Sequence, residues 1–158
     1  MSGQEQAPAF SIQRVYLKGM SLEMPNAPAI FLESQQPSVE VAVDVSSLTI
    51  VEGIHETAVT VTLTTRVGDK VAFLIETTQA GIFEIRNVPD EQLSGLISVV
   101  CPQMVYPYLR AIVSDVCTRA GFPPILLTEV NFQAMFEAQQ QAAAEQAGSA
   151  SGIITQAN

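Results

Sequence analysis

Val71-Ala72-Phe73-Leu74-Ile75-Glu76-Thr77-Thr78-Gln79 reads as a β-strand that needs cover on both sides. Side chains of a strand alternate between faces. Val71, Phe73, Ile75, Thr77 and Gln79 therefore share one face, and Ala72, Leu74, Glu76 and Thr78 the other. A half-buried strand is apolar on one face and polar on the other. Here large apolar groups lie on both, and the second face sets Leu74 beside the Glu76 carboxylate. Such a strand reads as a surface built for contact with other chains.

Just before it, Val67-Gly68-Asp69-Lys70 forms a tight hairpin turn in which Gly68 is free to take positive φ. The preceding strand runs over about Ile54–Arg66, with Val59, Val61, Leu63 and Thr65 opposite a threonine row suited to a pleated surface. A turn at Glu52-Gly53 leads back to another strand, with Val39, Val41, Val43 and Val45 on one face and Glu40, Ala42, Asp44 and Ser46 on the other. Phe10–Leu17 alternates too, carries apolar groups on both faces, and extends toward Met24. Four strands joined mostly by short turns imply an antiparallel sheet. Between the first two strands, Pro25-Asn26-Ala27-Pro28 breaks the ladder. The apolar Ala29-Ile30-Phe31-Leu32 that follows either tucks onto the core or forms the lip of a groove.

Gly81 is expected to end the fourth strand, after which the period becomes helical. Asp90 and Glu91 occupy a first turn, where acids complement the helix dipole. Leu93, Leu96, Ile97 and Val100 form an apolar stripe that Pro102 interrupts. A second helical run carries Val105, Leu109, Ile112, Val113 and Val116, starts or kinks near Pro107, and stops at Gly121. Phe122-Pro123-Pro124 forces a connection, and Asn131 caps a last helix. The chain becomes Gln, Ala, Ser and Gly rich from about Gln139, which predicts a mobile tail.

The 158 residues suit one domain, with a formal charge of −9. Only 15% are charged against 47% hydrophobic, where about a quarter charged is usual, so self-association can account for the missing polar surface. Seven scattered Lys and Arg, none beyond Arg119, do not make a nucleic-acid surface. The acidic balance, continued by Glu129, Glu137 and Glu145, suits a basic partner instead. The polar start shows no targeting segment, and no apolar run approaches the roughly 18–20 residues that span a membrane. Cys101 and Cys117 have no metal or redox spacing and read as buried free thiols of a cytosolic protein.

Catalysis has little support. The one histidine, His55, stands beside Glu56 at a strand start. It reads either as a base in a small-molecule or hydrolytic domain or as a solvated turn residue. The chain holds no nucleophile elbow, P-loop or dinucleotide fingerprint. Leu74 with Glu76 reads as a contact epitope or as an edge charge that prevents aggregation.

Phe10-Ser-Ile-Gln-Arg-Val-Tyr16, Pro25-Asn26-Ala27-Pro28, Ala72-Phe73-Leu74 with Glu76, then Gln79, Gly81-Ile82-Phe83, Cys101-Pro102, Tyr106-Pro107-Tyr108 and Val130-Asn131-Phe132 follow one another in a specific order and spacing. Over about residues 10–140 this series resembles the SecB family, the export-dedicated chaperones of Gram-negative bacteria. The resemblance implies an α+β fold: a four-stranded antiparallel sheet with C-terminal helices packed on one face, assembled as a dimer of dimers. It implies one chaperone domain over 10–140, flanked by the segments that composition leaves disordered (1–9) and flexible (141–158). It further implies an ATP-independent holdase that binds unfolded precursor proteins and delivers them to SecA, the ATPase of the Sec translocase. No cofactor and no enzymatic activity are expected, and the homotetramer works in the cytoplasm. A structural oligomer without clients is the alternative.

By the same resemblance, SecA docks on Glu23, Leu74 and Glu76. An acidic position of that surface corresponds to Gly19, whose missing carboxylate either weakens docking or shifts it to Asp44 or the tail. Phe73, Ile75, Thr77 and Gln79 match positions linked to assembly and client binding, with Ile75 and Thr77 replacing the family's cysteine and valine. The crossover loop, with Met24, Ile30, Phe31 and Leu32, contributes a client groove in which Gln35 replaces a tryptophan.

Overall fold

Four long strands carry the fold: β1 (Ala9–Glu23), β2 (Pro37–Val51), β3 (Ile54–Val67) and β4 (Lys70–Arg86). They form one antiparallel sheet in the order β1-β4-β3-β2. The structure, a computed structural model, describes Gln4 and residues 6–153. Most of the segment expected to be disordered at the N-terminus is short of β1, and residues 1–3 and 5 lie outside the described residues. Hairpins join β2 to β3 and β3 to β4, and Gly68 takes the positive φ that its turn requires (64°). The connection from β1 to β2 crosses the sheet, with a single 3-10 turn at Ala29–Leu32, so β1 pairs with β4 rather than with its sequence neighbour.

β4 does not end at Gly81 but continues to Arg86. Gly81 is a packing device instead of a stop. A Cβ there would lie 2.8 Å from a Phe83 ring carbon and 3.0 Å from Val105 Cγ2. The missing side chain lets the overlying helix approach the sheet.

That helix is unbroken from Asp90 to Arg119. It comprises α1 (Asp90–Gly95), a wide π turn (Leu96–Val100) and α2 (Cys101–Arg119). The expected break at Pro102 is absent, and Pro107 lies inside α2. The π turn supplies the reason: its i→i−5 bonding, with the Cys101 amide donating to Leu96 O, widens the helix just where Pro102 has no amide to donate. By length and composition alone this helix is apolar enough to span a membrane. Its packing accounts for that composition. Val105, Leu109, Val113 and Val116 are buried on the sheet with Val59, Val61, Leu63, Phe73, Ile75 and Phe83. Each such side chain contributes about 1.5–3 kcal/mol of burial. The side of β4 bearing Phe73 and Ile75, two residues that read as core or subunit interface, is thus core, covered by the chain's own helix.

Cys101 and Cys117 are free and buried as expected. Burial pushes the Cys101 thiol up to about 12, so it stays an inert core thiol near neutral pH. The helix ends as the sequence predicts. Gly121 adopts φ 86°, and the amides of Gly121 and Phe122 return to Thr118 O and Cys117 O.

Contacts divide the chain after Thr128 into two compact units. The second contains α3 (Phe132–Ile153), capped as expected by Asn131, whose Oδ1 accepts from the Ala134 amide at 2.9 Å. The helix continues past Gln139, where composition suggested a mobile tail, because Ala, Gln and Glu are good helix formers in their own right.

Candidate functional site

The sheet has an inner side under α2 and an outer side that no helix of the same unit covers. Register decides which residues share each side. On the outer side Glu23 of β1 lies opposite Leu74 of β4, which lies opposite Thr64 of β3 and, through it, Glu40 of β2. The next row is Ser21, Glu76, Thr62 and Ala42, and the one after it Gly19, Thr78, Thr60 and Asp44. Glu23, Leu74 and Glu76 therefore form one contiguous patch, with both carboxylates exposed and Leu74 half-buried between them. Thr60 and Thr78 hydroxyls pair at 2.8 Å in the centre of the third row, whose ends are Gly19 and Asp44.

Further along the same side the acidic character is cancelled. A bulge between Leu17 and Gly19 turns Lys18 onto the outer face, where its Nζ donates to Glu56 Oε1 at 2.6 Å. The Tyr16 hydroxyl donates to Glu56 Oε2. The pair reaches from β1 to β3 across the buried Ala80 and Ala58. The Lys18 and Tyr16 hydrogen bonds hold the Glu56 carboxyl below its usual range, and the same bonds raise Tyr16 and Lys18.

Glu56 cannot therefore serve the adjacent His55. Consecutive strand residues face opposite ways, and His55 lies on the inner side with its Nδ1 3.1 Å from Thr49 Oγ1. The expectation of a solvated turn histidine is also corrected, since His55 is only 6% exposed. It borders a cleft of about 470 Å³ with Glu52, Arg86 and Asp90. Among the described residues no group of three or more His, Cys, Asp or Glu is placed to hold a metal ion.

The inner side carries Phe73, Ile75, Thr77 and Gln79 in one row, all buried. Ile75, Thr77 and Gln79 are reachable only through the packing around them, whereas Phe73 borders an apolar groove of about 180 Å³ at the β2 margin. Pro37, Val39 and Thr65 line its sheet wall; Phe122, Pro123, Pro124 and Ile125 line the other. Phe122 stands between two rings, 4.9 Å from Phe73 and stacked at 5.4 Å on Phe31.

The crossover loop thus does not line the groove and supports its wall through Phe31, which stacks on Phe122. Ile30 is buried, Met24 is half-buried and Leu32 is 89% exposed, and none of the three lines the groove. The loop is tied to the sheet by Asn26 Nδ2 on Val71 O (2.9 Å) and by the Lys70–Glu33 ion pair (3.2 Å), and Gln35 Oε1 lies against Gly68. The groove wall Phe122–Ile125 escaped the sequence reading, which took Phe-Pro-Pro as a connection; an aromatic and an aliphatic residue around two prolines beyond a helix stop were the available signal. Apolar side chains also remain exposed at both inner margins, with Leu17 and Met20 on β1 and Val39 and Val41 on β2.

Comparison with known proteins places this geometry. The family model described as "Preprotein translocase subunit SecB" matches residues 3–143. Similar proteins include the protein-export protein SecB of Cupriavidus taiwanensis, 60% identical over 149 residues (94% of this chain and 87% of that one). That of Acidovorax sp. strain JS42 is 59% identical over 145 residues, 92% and 97% of the two chains. That of Methylibium petroleiphilum is 58% identical over 151 residues, 96% and 93%. Among solved structures, a SecB-like chaperone of Mycobacterium tuberculosis, in complex with a ChAD peptide from an antitoxin, shares the fold. Its TM-score is 0.64 at 16% identity, covering 77% of this chain and 90% of that one. The family model and relatives of 58–60% identity match over nearly the whole length, and the chain belongs to the SecB family of protein-export chaperones.

Proposed function

We propose that this protein is an ATP-independent holdase that binds unfolded precursor proteins and delivers them to SecA. The observation that carries the reading is the apolar groove of Val39, Phe73 and Phe122 beside the edge strand β2. An unfolded chain exposes apolar side chains together with unpaired backbone. A groove next to a sheet edge accepts both with little sequence preference. Phe31 acts in it by holding the Phe122 ring, and Ile75, Thr77 and Gln79 act through the packing beneath it. Ile30, Leu32 and Met24 shape the crossover loop rather than contact the client.

The assembly is a dimer of dimers, which covers the exposed Leu17 and Met20 on β1 and leaves the β2 margin open to the client; apolar patches of this kind are characteristic of association surfaces. Several grooves in one tetramer add avidity, because later contacts with one client are intramolecular. The outer sheet side with Glu23, Leu74 and Glu76 is the docking surface for a basic element of SecA, with Leu74 as the apolar centre between two charges.

Aggregation of a reduced, unfolded protein, followed by light scattering without nucleotide, tests the function. Suppression at near-stoichiometric amounts is expected, with a native mass near four times 16.9 kDa. A stable oligomer of that mass that leaves aggregation unchanged would favour a purely structural role.

A further inference from the structure

Among the side chains that line the apolar groove, one buried polar atom has no partner. Thr65 is 2% exposed, and its Oγ1 is buried with no hydrogen bond. Its neighbours across the sheet on the two sides are Val39 and Phe73, which have no polar side-chain atom to offer. Leaving a buried hydroxyl unpaired costs about 1–3 kcal/mol. Valine would fill the same space without that cost and suits a strand equally well. Thr65 therefore carries a hydroxyl that folding of this protomer does not use.

The surroundings define what the hydroxyl is for. No charged side chain lines the groove, so charge does not select its ligand. Pro123 and Pro124 on the facing wall have no amide to donate. Beyond Phe122 that wall lies in the stretch 123–131, which has no regular secondary structure and follows the turn at the helix end. β2 is a sheet edge, so the outward backbone groups around Pro37 and Val39 lack a strand partner. A neutral group that both donates and accepts, set among apolar side chains beside a free edge, matches a peptide unit flanked by a bulky apolar side chain.

We propose that Thr65 Oγ1 is the hydrogen-bond anchor for the backbone of an extended polypeptide segment held in this groove. The proposal rests on the client-binding reading of the groove and adds the group that fixes the client's register there. A side chain of the segment occupies the space between Val39 and Phe122, and the adjacent peptide unit pairs with Thr65. The hydroxyl is shielded in the present conformation, so the bound segment moves the Phe122–Ile125 wall outward to reach it. Recognition through a peptide unit is indifferent to side-chain identity, as a chaperone with many clients requires.

The test uses the full-length protein and a fluorescent apolar peptide scanned by amide-to-ester replacement, which removes the amide donor and weakens the carbonyl acceptor at one linkage at a time. With the wild type, one linkage is expected to stand out, with a threefold to tenfold loss of affinity, about the worth of one hydrogen bond. Thr65→Val is expected to bind the parent peptide weaker by a similar factor, to lose sensitivity at that linkage alone, and to melt at the same or a higher temperature. Thr65→Ser keeps the hydroxyl and the sensitivity. A Thr65→Val protein with wild-type affinity and an unchanged ester profile overturns the anchor while leaving the groove as client site intact. A wild type that binds no peptide overturns both.

Discussion

Glu23 on β1 and Leu74 on β4 stand directly opposite each other on the side of the sheet away from α2, and Glu76 follows two residues along the same face. A carboxylate, an aliphatic side chain and a second carboxylate are thereby fixed by strand register, not by loop conformation. Rigid placement lowers the ordering cost of binding. Glu76→Lys reverses a charge at an exposed position and touches no core residue. It is expected to weaken SecA binding by at least tenfold at low salt, with the oligomer mass unchanged. Titration calorimetry across ionic strength checks this, since the wild-type advantage shrinks as salt screens it. Equal affinities of the two proteins at low salt would remove Glu76 from the docking surface.

Gly19 occupies the row beyond Glu76, beside Thr78, and a Cβ built on it meets nothing within 4 Å. Gly19→Asp is therefore accommodated without moving a neighbour, and replacing a strand glycine also removes an entropic penalty. A third carboxylate on the proposed docking side is expected to tighten SecA binding by about 1 kcal/mol, roughly fivefold, at low salt. Asp44 ends the same row on β2. Should Asp44→Asn weaken docking in the wild type and do so less in Gly19→Asp, the far end of the row is serving in place of the missing acid.

Glu56 links pH to stability. Its folded-state carboxyl titrates below the unfolded value because Lys18 and Tyr16 hydrogen-bond to the charged form. A depressed carboxyl contributes stability that is fully present above the unfolded value, about 4.3, and is lost as pH falls through the folded value. Glu56→Gln is expected to cost on the order of 1–2 kcal/mol at pH 7, at or just below the low end for hydrogen bonds to a charged group because solvent screens the half-exposed Lys18. The gap between wild type and variant closes below about pH 4. Denaturant titrations at pH 7 and below pH 4 measure it, and a gap independent of pH would mean that the bonds to Glu56 do not distinguish its two forms.

The strands were legible because a period of two is hard to hide. The valines of β2 and the threonines of β3 point where alternation puts them, and the patch of Glu23, Leu74 and Glu76 follows once β1 and β4 are paired. Pairing itself was another matter: short turns favour sequence neighbours, and only the long Pro-containing crossover carries β1 around to β4. Gly81 and Pro102 were read by local propensity, as a strand end and a helix break. Tertiary packing against Val105 and a π turn override them. His55 was read as solvated from its place near a turn, yet a strand residue's burial depends on what covers its face, which no local pattern encodes. The groove was least legible. Its walls come from three segments far apart in sequence, and Phe31, Phe73 and Phe122 become one feature only through folding.

Gly121 joins two of those segments. Its φ of 86° ends the helix, and a Cβ there would sit 3.1 Å and 3.2 Å from two Phe31 ring carbons. Gly121→Ala meets both constraints, since alanine at positive φ is strained and the methyl pushes Phe31 off Phe122. A loss of about 1–2 kcal/mol is expected, several degrees in Tm for a chain of this size, together with weaker client binding. Gly121→Asn separates the two effects. Asparagine tolerates the left-handed conformation but still carries a Cβ, so stability should largely recover while client affinity stays low. If affinity recovers together with Tm, the Phe31–Phe122 stack does not govern the groove, and helix termination is the whole reason for glycine at this position.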